Sequence, residues 1–189
     1  VQNVSWNEAC AYMEKLTERE NEARAKWRQP ALTPCYEKQG ETWAWKDHGC
    51  TGYRLPTESE WEYAARAGTG TAYFFGETDA KLGDYAWFSG NAEEKVHPVA
   101  TKKGSPWGLH DIYGNVREWC WDWKAEYKAA PKKNDSGPEN GGDRVLRGGS
   151  AWDVPGRLRS AYRSGPTPTY RGWYGGFRCV RAPRPSVEP

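Results

Sequence analysis

The sequence predicts an α+β domain with two helices, a few short strands and much irregular loop. Three observations carry this reading. Two capping-box signatures each precede a short apolar run at helical spacing. Only a few short segments alternate as strands do. The 189 residues include 21 Gly and 13 Pro, a composition that favours turns over long regular elements.

The elements follow in chain order. Ser5 and Glu8 form the first capping box, in which a hydroxyl and a carboxylate satisfy the free N–H groups of a first helical turn. Trp6, Cys10, Met13 and Leu16 follow at helical spacing, so a helix is expected over roughly 6–20. The polar run 17–26 either extends it or frays. Residues 27–52 read as an inserted loop or small hairpin, with strand-like alternation at Trp43-Ala44-Trp45. Cys35 and Cys50 flank it, and a disulfide staple and two packed free thiols both fit. Thr57 and Glu60 form the second capping box. Trp61, Ala64 and Ala65 give the helix after it one apolar face, and Gly68 sits where it would stop. Residues 69–110 have no sustained period and read as ordered loop with short strands. From Val116 to Trp123, Val116, Glu118, Cys120 and Asp122 alternate with Arg117, Trp119, Trp121 and Trp123, a strand pattern. Residues 124–143 are polar and rich in Gly and Pro, as a surface loop would be. Two more strands are expected at 144–147 and 177–180, and 148–150 reads as scaffold strand as well.

Composition bounds the function. Net charge is +2, without the global basic footprint of a nucleic-acid binder. No apolar run approaches the ~20 residues of a membrane span. Trp 12 and Tyr 11 far outnumber Phe 4 and Met 1, so amphipathic rings supply much of the burial and their polar atoms need partners. Five cysteines without a CxxC allow at most two disulfides. The chain reads as a single domain, 1–189, and its start at Val1 reads as a fragment or processed form of a larger protein.

A series of motifs occurs in order: Val4-Ser5-Trp6; Tyr53-Arg54-Leu55-Pro56-Thr57-Glu58-Ser59-Glu60-Trp61-Glu62-Tyr63-Ala64-Ala65-Arg66; Pro106-Trp107-Gly108-Leu109; Gly114-Asn115-Val116; Glu118-Trp119; Leu146-Arg147-Gly148-Gly149-Ser150; Leu158-Arg159-Ser160-Ala161-Tyr162-Arg163; and Gly176-Phe177-Arg178. Over nearly its whole length the chain resembles the sulfatase-modifying-factor family, whose founding activity is the formylglycine-generating enzyme. The resemblance implies a compact C-type-lectin-like fold. That enzyme uses two cysteines, five apart, to hold copper. The positions resembling them are Pro155 and Ser160, and neither is a thiol, so no copper and no catalytic residue are expected. A sulfoxide-forming branch uses iron and histidines from an extra helical domain. Here His48, His97 and His110 are scattered, and no iron is expected.

The resemblance also implies a structural calcium site, with carboxylates of Asp111 and Glu118 and carbonyls of Gly114 and Val116. Oxygen donors around a Gly-containing turn suit a hard cation. The competing reading has Asp111 capping a turn and Glu118 paired with a buried arginine. A second calcium position near Asn91 and Ala92 matches less well. Nine arginines lie between Arg144 and Arg184. They form a basic patch for an anionic partner, or Arg159, Arg163 and Arg178 turn inward to pair with Glu58, Glu60, Glu62 and Glu118; the second reading is preferred. Glu58, Glu60 and Glu62 read as helix-start charges, not an acid–base pair.

The segment between 150 and 175 is the candidate site. Its expected ligand-contacting residues are Ala151, Trp152, Asp153, Val154, Gly156, Ser164, Pro166, Thr167, Thr169, Tyr170, Gly172, Trp173 and Tyr174. Aromatic anchors among small polar neighbours suit adaptable recognition. Variable proteins of diversity-generating retroelements resemble this arrangement and place their changeable residues in this segment. The expectation is thus a non-catalytic recognition module for a protein or other macromolecule, with no specific nucleic acid and no membrane span. The alternatives are a formylglycine-generating-type oxidoreductase, and a structural domain beside a kinase or protease-like effector.

Overall fold

The computed structural model describes residues 1–46, 49–127 and 136–182. Helix α1 (Trp6–Lys26) starts at the Ser5–Glu8 capping box, whose two reciprocal bonds are both formed. It runs past residue 20 because its polar second half is rich in strong helix formers and is anchored sideways. Asn21 exchanges two hydrogen bonds with the Leu32 backbone, at 2.9 and 2.7 Å. The Thr17 hydroxyl accepts the Tyr53 N–H at 3.0 Å. The inserted segment is a hairpin of β1 (Tyr36–Gln39) and β2 (Thr42–Trp45), closed by a Cys35–Cys50 disulfide. His48 lies outside the described residues.

Strand β3 (Tyr53–Arg54) leads into helix α2 (Glu58–Arg66), again with a complete capping box, at Thr57 and Glu60. The helix ends at Ala67 in the left-handed region, followed by Gly68 at φ +87°. A short third helix, α3 (Leu82–Tyr85), lies in the stretch read as ordered loop. Its single turn is too short to show a period. Then come β4 (Arg117–Trp123), β5 (Arg144–Arg147), β6 (Gly175–Gly176) and β7 (Val180–Arg181). The strand expected over 177–180 is mostly not formed: β6 ends at Gly176, β7 begins at Val180, and residues 177–179 belong to neither, because the two short strands join different neighbours. Residues 148–150 are not strand, because Gly148 and Gly149 turn the chain at φ +89° and +71°. A Cβ on Gly149 would lie 2.8 Å from the Leu158 side chain and 2.9 Å from the Arg157 carbonyl.

The three-stranded sheet has the order β5-β4-β6, antiparallel between β4 and β5 and parallel between β4 and β6. Both faces of β4 are buried, and its alternation sorts two cores. Trp119 and Trp121 pack with Trp6, Cys10, Met13, Tyr36 and Leu55. Cys120 packs with Trp61, Tyr73, Tyr113, Val145 and Leu158. Trp119 and Trp121 are therefore core residues, while Trp123 is half-buried at the strand's end. Arg144 completes the first core as a buried cation, 3.7 Å from the Trp6 ring and 3.5 Å from the Trp123 ring, and burial pushes its guanidinium down to about 10.

Candidate ligand-binding surface

One edge of the sheet assembles the site. Arg117 begins β4, Arg147 ends β5 and Gly175 begins β6, and the registers Glu118↔Arg147 and Arg117↔Gly175 put all three at the same end. The chain leaving β5 is 150–157, and the chain entering β6 is 166–174. The two halves of the candidate segment thus exit beside a single residue, Arg117.

Arg117 holds the halves together. Its N–H donates to the Tyr174 carbonyl at 2.7 Å, and its guanidinium lies 4.8 Å from the Tyr174 ring. Two of its nitrogens grip the Asp153 carboxylate at 2.9 and 2.6 Å, and a third donates to the Ser164 hydroxyl at 3.1 Å. Asp153 also accepts the Ser150 N–H and hydroxyl at 3.0 and 2.7 Å. Burial disfavours both charges, but the bonds outweigh it. Asp153 is held below the usual carboxylate range, chiefly by the Arg117 guanidinium, and Arg117 above its ordinary value by Asp153.

Above this pair lies a cluster of rings. Trp152 and Trp173 meet edge to face with centroids 4.1 Å apart, Trp173 contacts Tyr174 at 5.7 Å, and the Tyr170 hydroxyl donates to that of Tyr174 at 2.8 Å. Burial and the Tyr170 hydroxyl push the Tyr174 phenol up to about 12. Trp173 is 53% exposed and Val154 56%, while Trp152, Tyr170 and Tyr174 are half-buried. Gly156, Thr167 and Thr169 are exposed, and Ser164 and Pro166 half-buried.

Three residues expected to contact ligand lie inside. Ala151, Asp153 and Gly172 are buried and shape the surface from beneath. For Asp153 the reason is charge. It is the sole acid between residues 144 and 184, and Arg117 of the adjacent strand claims it. Arg117 itself was not among the sequence candidates. The isolated acid in an arginine-rich stretch was the signal that a buried cation had to meet it.

The arginines divide. Arg163 grips Glu58 with two bonds of 2.6 Å, Arg178 grips Glu118 at 2.7 and 3.0 Å, and Arg147 bonds Glu62. Arg159 departs from the inward reading: it is exposed and donates to the Gly156 carbonyl at 2.9 Å. Glu60 pairs with Arg54 instead.

The two carboxylates expected to bind calcium differ in their surroundings. Besides Arg178, Glu118 accepts the Trp61 indole N–H at 2.7 Å, so both its oxygens are engaged. Asp111 accepts the Ala100 N–H at 2.7 Å through one oxygen, and its other oxygen is buried without a hydrogen-bond partner among the described residues. Arg178 is the cation both carboxylates face: Glu118 first, then burial opposing, and Asp111 more weakly, with the net effect of raising its guanidinium. Glu118 is thus committed to the Arg178 ion pair, while Asp111 keeps one open carboxylate oxygen.

Pro155 opens a 3-10 turn (Pro155–Arg157), and its carbonyl accepts the Tyr73 hydroxyl at 2.7 Å. Ser160 is fully buried, 2.6 Å from the Tyr113 hydroxyl. The free thiols Cys10 and Cys120 are buried in the two separate cores, and Cys179 is exposed.

Residues 1–183 match the family model of the sulfatase-modifying factor enzyme 1-like domain. The chain is 34% identical over 197 residues to a formylglycine-generating enzyme from Streptomyces coelicolor, covering 95% of this chain and 52% of that protein. It is 37% identical over 164 residues to the serine/threonine-protein kinase pkn1 of Chlamydia caviae, covering 79% of this chain and 25% of the kinase. The chain thus spans about half the length of the first relative and a quarter of the second. Among solved structures, Treponema denticola variable protein 1 superposes with a TM-score of 0.86 at 34% identity, over 97% of this chain and 71% of that one.

Proposed function

The chain belongs to the sulfatase-modifying-factor family, and from that premise we propose that it is a non-catalytic recognition module whose ligand-binding face is built on residues 151–156 and 164–174. The carrying observation is the Trp152–Trp173 pair: large rings, partly exposed, on a buried Arg117–Asp153 foundation. Rigid rings over a fixed base are preorganised, which lowers the ordering cost of binding. Likeness to a variable protein supports the reading. The ligand is a protein or other macromolecule.

The face is tested by panning a random-peptide phage library on the wild-type chain and on W152A/W173A. Peptides that need both tryptophans are the expected result. Equal recovery on both, with the variant still folded, removes the reading. The non-catalytic part rests on Pro155 and Ser160 standing where a copper dithiolate would be. A hydroxyl and an imino ring lack the soft thiolates that hold Cu(I). Incubation with Cu(I) and a cysteine-containing sulfatase peptide should yield no aldehyde by mass spectrometry; aldehyde formation would reverse the assignment.

Diversification by a retroelement is a narrower proposal. It calls for a reverse transcriptase and a near-identical template repeat beside the gene, with mismatches confined to template adenines. Without them this narrower proposal goes and the recognition face stands.

A further inference from the structure

The surface segment separates its charges by depth. Its single acid, Asp153, is buried and already gripped by two nitrogens of Arg117. Arg157, 55% exposed, reaches that carboxylate only at 3.4 Å, so most of its charge faces water. Arg159 is exposed with no carboxylate paired to it among the described residues. Arg171, 60% exposed, stands two residues before Trp173 and pairs with Glu8, itself 41% exposed on the first turn of α1. Three outward guanidiniums therefore stand against two outward acids, Glu8 paired with Arg171 and Asp79, whose charge reaches the same Tyr73 as that of Arg159. Val154 and Trp173 supply exposed apolar surface beside them.

We infer that this face takes an acidic protein segment, one presenting Asp or Glu side chains next to an apolar or aromatic residue. The inference rests on the recognition reading above and names its partner's chemistry. A guanidinium offers a planar fork that matches a carboxylate with two parallel bonds. Arginine and tryptophan together are the side chains that most often anchor interfaces. An exposed apolar patch with a cationic rim also disfavours basic partners, because like charges are brought together.

The phage selection separates this inference from the reading beneath it. Peptides dependent on Trp152 and Trp173 should be enriched in Asp and Glu and depleted in Lys and Arg. Tryptophan-dependent peptides of neutral or basic composition would overturn the acidic partner and leave the face intact. No tryptophan-dependent peptide would overturn both. For a selected peptide, R157E/R159E should weaken binding roughly tenfold, and raising salt from low to high ionic strength should do the same. E8Q should strengthen binding, because it frees Arg171 while glutamine can still close the capping box. Unchanged affinity in both variants also overturns the proposal, and the gain in E8Q cannot be mimicked by misfolding.

Discussion

At the residue scale the Arg117–Asp153 pair decides whether the surface exists. Its side chains are 12% and 5% exposed, so removing one partner strands a charge in a poorly solvated place. D153N should destabilise the fold by about 3 kcal/mol and loosen the Trp152–Trp173 contact, read by chemical denaturation and indole fluorescence. The pH dependence has a definite sign. Asp153 is held below its unfolded value, about 3.9, so its contribution is fully present above that pH. The contribution is lost as pH falls through the lower folded value. The wild type should therefore lose stability steeply in acid, and D153N more gradually; parallel acid profiles would deny Asp153 this role. The Arg178–Glu118 pair makes a second prediction. Because a guanidinium already neutralises Glu118, millimolar calcium should leave the Tm unchanged, and a rise of several degrees would restore calcium at Asp111 and Glu118. Sequence pattern located the aromatic ring cluster because Trp152, Tyr170, Trp173 and Tyr174 lie in segments with no amphipathic period. It did not show that Asp153 points inward, since its partner comes from another element and burial is a pairwise property.

At the element scale, local chemistry was legible where it is self-contained. Both capping boxes formed at Ser5 and Thr57, because every atom of such a box lies within four residues. The far half of α1 was less legible because it is stabilised by Leu32 and Tyr53, which the helical period does not encode. The break at 177–179 between β6 and β7 follows from partners distant in sequence, Arg117 and Glu118 for β6 and Tyr53 and Arg54 for β7. The hairpin of β1 and β2 was open in the sequence, since Cys35 and Cys50 fitted either redox state. With the disulfide formed, the two ends of that hairpin are tied, and Cys35, Tyr36 and Cys50 pack in the first core. A loop of this length constrains the unfolded chain by about 3 kcal/mol. C35S/C50S, or reduction with dithiothreitol, should lower stability by about that amount. An unchanged denaturation midpoint on reduction would show that the hairpin is held by Trp43 and Trp45 packing instead.

At the scale of the molecule, scaffold and surface are different kinds of structure. The two cores meet at β4, and α1, α2, the buried Arg144 and Arg147 and the half-buried Arg163 fasten them. The outer positions of the proposed face, Val154, Thr167, Thr169 and Trp173, are exposed, whereas Ala151, Asp153 and Gly172 are buried beneath them and Tyr174 packs against the first core. Stability is therefore concentrated below Arg117, and the proposed recognition face lies above it. Substitutions at exposed positions without special backbone roles usually change stability by less than about 0.5 kcal/mol. A set of variants combining changes at Val154, Thr167, Thr169 and Trp173 should melt within about 2 °C of the wild type while altering which library peptides are recovered. R117A in the same assay should melt far lower, because Asp153 would lose its partner and the two surface segments their common support. If the four-position variants melt as low as R117A, the rings above Arg117 are part of the fold and not a separable face. If they melt like the wild type but recover the same peptides, the face lies elsewhere on the molecule.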